Sequence, residues 1–131
     1  MSDPRDPDDI WQRALDLPDE AELPGDTALA AVLLAHGSIM NGGVLNFVEE
    51  YDVSEVDAAV AGYRWLGIDP IAELLVEVRE KVARVGGPKH LGKLERRSDK
   101  AYAKVIDDDS DLEGYFRRTF AERPDDFAPL G

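Results

Sequence analysis

Two histidines and no cysteine are available for chemistry in this chain of 131 residues. Without thiols, disulfides, zinc–thiolate centres, iron–sulfur clusters and cysteine nucleophiles are all excluded. His36 and His90 form no H-x-x-x-H or H-E-x-x-H pair, and neither stands beside a Ser or carboxylate partner in the sequence. His36 falls in an apolar stretch and reads as a hydrogen-bonded core histidine. Only an open pocket holding it beside a carboxylate would bring hydrolysis into play. Gly87-Pro88-Lys89-His90-Leu91-Gly92-Lys93 has the spacing of a phosphate-binding loop. Leu94 stands where Ser or Thr would hold magnesium, and Pro88 removes a backbone donor, so it reads as a basic connection between helices. Asp107, Asp109 and Asp111 match the start of a calcium loop, but Leu112 replaces its glycine and Arg118 its final glutamate. Glu49 and Glu50 are adjacent, so on a helix they diverge by about 100° and form no catalytic pair. No catalytic, cofactor-binding or metal-binding residue is assigned, and a non-enzymatic protein is expected.

What remains is charge. The chain carries 28 Asp+Glu against 15 Lys+Arg, a net charge of -13, which excludes a general nucleic-acid binder and a polybasic membrane anchor. Residues 1–73 hold 16 acids and 3 bases, whereas residues 79–104 hold nine bases and three acids. One part of the molecule should therefore project a negative field, and one region should be locally basic. Ordinary solubility and a salt-rich cell interior would each give an acidic surface too. The N-terminal residues are acidic where a signal peptide is basic and then apolar, and the longest apolar run, Ala28 to Ala35, is far short of a membrane span. A soluble, cytoplasmic protein is expected.

The elements that must position these charges read as helices throughout. At 131 residues, 44% of them hydrophobic, the chain suits one domain with a modest core. Residues 1–9 read as a flexible acidic arm, 10–127 as a single all-helical domain and 128–131 as a tail. Asp9 is expected to cap a first short helix, and Asp26 to cap a helix over about 27–40. That second helix is apolar on nearly every face, the mark of a buried central helix. Asn41-Gly42-Gly43 breaks it before a short helix over Val44 to Tyr51. Ser54 is expected to cap a helix that ends at Gly67, and Asp69 one that carries an apolar stripe from Ile71 to Val85 and stops at Gly86-Gly87. Residues 88–97 read as basic and irregular. Ser98 is then expected to cap a helix through Ile106, and Ser110 a last one with Leu112, Tyr115, Phe116 and Phe120. No segment alternates as a half-buried strand would. The fold class is all-α, with about six or seven helices around the buried 27–40 helix.

Asn41-Gly42-Gly43-Val44-Leu45-Asn46-Phe47-Val48 resembles the N-G-G-F-x-Q-Y/F-F segment of a family of small bacterial domains typified by an acidic DNA-mimic protein. Gly62 to Ile68 is similar to that family's A-L-x-x-I-G-A segment, Ser98 to Tyr102 to its L-D-x-x-F-Y segment, and Leu112 to Phe127 to its closing aromatic helix. The resemblance implies an all-α fold, with Asn41, Gly42, Gly43, Phe47, Gly67 and Tyr102 as fold-defining positions. It also implies a protein, possible as a homodimer, that presents carboxylates in a phosphate-like array to a basic, DNA-binding partner. The candidate partner-binding acids are Glu49, Glu50, Asp52, Glu55 and Asp57 around one helix corner, joined by Asp19, Glu20, Glu22 and Asp26. The basic segment is a candidate self-association face. The alternative reading is an immunity or antitoxin module that binds a toxin enzyme through the same acids.

Overall fold

The computed structural model describes residues 6–84 and 88–130, the first three of the latter by backbone only. In chain order the described helices are α1 (Pro7–Asp16), α2 (Pro24–Gly42), α3 (Val44–Glu50), α4 (Val53–Trp65), α5 (Asp69–Arg84), α6 (Pro88–Val105) and α7 (Asp109–Glu122), followed by a 3-10 turn, Pro124–Asp126. There is no strand among the described residues, and the all-α single-domain expectation holds.

A helix that is apolar on nearly every face has to be sheathed, and α2 is covered along all but one side. It packs against α1, α3 and α4, and buries Leu29, Val32, Leu33, Ala35 and Ile39. The tightest of these crossings is with α4. A Cβ on Gly62 would lie 2.7 Å from the Ala28 carbonyl oxygen and 2.9 Å from Val32 Cγ2, so only glycine lets the two backbones approach this closely. At its C-terminus α2 breaks at Gly43, whose φ of +94° an L side chain rarely adopts, and α3 leaves at a bend of 119°. The Val44 N–H then donates to Asp99 Oδ1 at 2.8 Å, which ties the corner to α6.

Several helix starts differ from expectation. The sequence reads 1–9 as a flexible acidic arm, but α1 begins at Pro7 with Asp6, not Asp9, as its N-cap; residues 1–5 lie outside the described residues. α2 begins at Pro24, the position proline favours, which carries Asp26 into the first turn and into the interior. α4 begins at Val53 with Asp52 in place of Ser54 at the cap position. Asp108 rather than Ser110 caps α7, its Oδ1 accepting from the N–H groups of Ser110 and Asp111. At α1 and α2 proline takes the first helical position and sets the start, whereas at α4 and α7 an Asp two residues upstream takes the cap position from Ser.

The larger correction is α6. Residues 88–97 are helical, so the phosphate-loop spacing from Pro88 to Lys93 is the opening of a helix; Val85, Gly86 and Gly87 lie outside the described residues. Ser98 is not a cap. It is buried mid-helix, and its hydroxyl donates to the Glu95 carbonyl at 3.0 Å. Leu91, Leu94, Ser98, Tyr102 and Val105 form the inward stripe, and exposed Lys93, Arg96, Arg97, Lys100 and Lys104 the outward one. Beyond α7, Phe127 is buried against Trp65, Phe116 and Phe120, with ring centroids 5.4–5.6 Å apart.

Gly62→Ala should lower stability by about 1–3 kcal/mol because neither the Ala28 backbone nor Val32 can yield. Gly114→Ala, in open space on α7, should raise it by about 0.5–1 kcal/mol. Urea unfolding followed by tryptophan fluorescence reads both; equal stabilities for the two variants would contradict the close crossing.

Candidate functional site

The exposed side of α2 is a continuous strip. Thr27, Ala30, Ala31, Leu34, Ser38 and Asn41 follow one another at helical spacing over about 21 Å. Two clefts open along it. The first, of about 660 Å³, has Ala30, Ala31, Leu34 and Ala58 as its apolar floor, and Asp19, Glu22 and Glu55 among its lining residues. The second, of about 400 Å³, is polar, formed by Ser38 and Asn41 of α2 with Asn46, Glu50 and Tyr51. Among the described residues no base pairs with Asp19, Glu22, Glu50 or Glu55.

The structure thus brings four of the candidate acids to one face. Glu20 is exposed in the same loop as Asp19, Glu49 is exposed on α3, and Asp52 is exposed at the start of α4. Two candidates stand apart. Asp57 pairs with Arg79 across α4 and α5. Asp26 is not on the exposed face: it is 5% exposed, with Oδ1 2.8 Å from Arg13 and Oδ2 accepting from the Ala128 N–H at 2.8 Å. Arg13 also donates to the Ala128 and Pro129 carbonyls, so this pair staples the C-terminal segment to α1 and α2. The fold-motif residues divide by role. Gly43 makes the corner, and Gly67 makes the α4–α5 turn at φ +78°. Phe47 is buried and packs on Tyr51. A Cβ on Gly42 would meet the Asn46 amide, and Asn41 lines the polar cleft.

The core holds a polar chain that sequence reasoning saw only in part. His36, 4% exposed, places Nδ1 2.8 Å from Tyr102 Oη and Nε2 2.7 Å from Asp109 Oδ1. Tyr63 Oη lies 2.9 Å from Tyr102 Oη. Burial pushes both phenols well up from their ordinary value, which keeps them neutral donors. With the order Tyr63 to Tyr102 to His36 to Asp109, every proton has an acceptor. His36 is the hydrogen-bonded core residue expected of it. A carboxylate does stand beside it, but both ring nitrogens are engaged and the ring is sealed, so it has none to offer a substrate. Sequence separations of 66 and 73 hid its partners. Among the described residues no cluster of His, Asp and Glu could hold a metal ion.

Tyr102→Phe removes the middle hydroxyl and orphans both His36 Nδ1 and the Tyr63 hydroxyl; it should cost about 1–3 kcal/mol. Tyr63→Phe removes only the end of the chain and should cost about 1 kcal/mol or less. Urea denaturation ranks them; the reverse order would contradict the chain.

A search of curated proteins and a search of solved structures each returned no match. A family model described as DMP19-like protein matches residues 20–130, which takes in α2 through α7, the His36 chain, the second cleft and the first cleft apart from Pro18 and Asp19. This chain belongs to the DMP19-like protein family.

Proposed function

We propose that this is a non-enzymatic, cytoplasmic interaction protein whose α2 face stands in for DNA phosphates on the DNA-binding surface of a basic regulator. The observation that carries the reading is the set Asp19, Glu22, Glu50 and Glu55, gathered along one exposed face and unpaired among the described residues. DNA presents one negative charge per roughly 1.7 Å of axis, and a protein built to accept that density is drawn to carboxylates held on a rigid support. The net charge of -13 steers such a partner from a distance. Membership of the DMP19-like family supports the same reading. The His36 chain is in keeping with a non-enzymatic role, since both ring nitrogens of that histidine are spent on structure.

Immobilised protein should retain a basic DNA-binding protein at low salt and release it at about 0.5 M salt, where the Debye length shrinks to a few ångströms. Duplex DNA should displace the retained protein, and the triple variant Glu22→Gln, Glu50→Gln, Glu55→Gln should bind it at least about tenfold more weakly. Retention of no basic protein, retention that duplex DNA does not displace, or retention of a toxin enzyme in place of a regulator would each overturn the reading.

A further inference from the structure

Phosphate mimicry needs only carboxylates, yet the larger cleft has an apolar floor. Leu34, 47% exposed, lies open beside Ala30 and Ala31. The acids flank that floor from two elements, Asp19 and Glu22 from the α1–α2 loop and Glu55 from α4, and among the described residues no base lines the cleft. Resting on the mimicry reading above, we infer that this groove receives an amphipathic basic helix of the partner protein. An apolar side chain seats on Ala31 and Leu34, while Lys or Arg side chains on its flanks reach Glu22 and Glu55.

Three physical facts select this occupant. Charge complementarity calls for cations on both sides of an apolar anchor, which a helix supplies from positions three and four residues apart. Length calls for a short regular segment, because the cleft runs along α2 from Thr27 to Leu34, about 11 Å, the span of two helical turns. An extended strand would need free backbone donors and acceptors, and those of α2 are consumed within its own helix.

The test uses two fluorescent synthetic peptides of one Leu/Lys composition. One carries the leucines as a helical stripe; the other has the order scrambled. The striped peptide should bind the full chain at least about tenfold tighter at low salt. Ala31→Trp, which fills the groove, and Leu34→Ser, which strips its floor without changing charge, should each weaken the striped peptide at least about tenfold and leave the scrambled one unchanged. Melting curves confirm that at least one variant is folded. Equal binding of the two peptides, or indifference of the striped peptide to both variants, would overturn the groove assignment. So would a self-associated state that Ala31→Trp dissociates, because it would put a second copy in the groove. The two readings fail separately: DNA-displaceable capture of a regulator that ignores Ala31→Trp leaves mimicry standing and removes the groove.

Discussion

Hydrophobic burial has no direction, and a helix apolar on every side gains nearly the same from it at any rotation about its axis. α2 is such a helix, so something directional has to choose which strip of it faces water. The hydrogen-bonded chain through His36 does so. From one imidazole it reaches α6 through Tyr102, α4 through Tyr63 beyond it, and α7 through Asp109. Each bond is short and buried at the histidine end, where an unmade bond is expensive. With His36 held inward, Thr27, Ala31, Leu34 and Ser38 are left facing out, and the two clefts follow from that.

The charge pattern has the same logic. The two halves of the sequence differ sharply in net charge, but the fold partly heals the division. Arg79 answers Asp57, and Arg117 answers Asp8 as well as its own helix neighbour Glu113. Arg13 and Asp26 go further, and spend an acid and a base on holding the C-terminal segment. The acids on the α2 face are left out of this pairing. A self-repelling cluster opposes compactness, so it persists only on a frame fixed by other means. Here those means are the Gly62 crossing, the Gly43 corner tied to Asp99 and the aromatic cluster around Phe127.

Much of this frame was legible in the residues. The buried central helix, the Asn41-Gly42-Gly43 corner and the apolar stripe of α5 are local patterns, and local patterns survive folding. α6 was missed over its first half because Pro, Gly and many bases suggest a loop by composition, although Leu91, Leu94 and Ser98 already have helical spacing. Asp26 illustrates the opposite limit. Its type suits a helix cap or a surface acid, and only the approach of Arg13 and Ala128 from distant parts of the chain explains its burial. The acids of the face were readable as acids, but not as neighbours, since Glu22 and Glu55 meet only through the packing of α4 on α2.

The absence of cysteine from the chain allows the rotation of α2 to be read directly. Single thiols placed by Leu34→Cys, on the open strip, and Leu33→Cys, on the buried side, can be labelled with a maleimide in an otherwise unreactive protein. The account predicts that Cys at 34 reacts at least about a hundredfold faster than Cys at 33, and that adding His36→Leu to each collapses the ratio by at least about tenfold while the protein stays helical. An unchanged ratio in the His36→Leu background would contradict it, because apolar packing alone would then be setting the face that α2 presents.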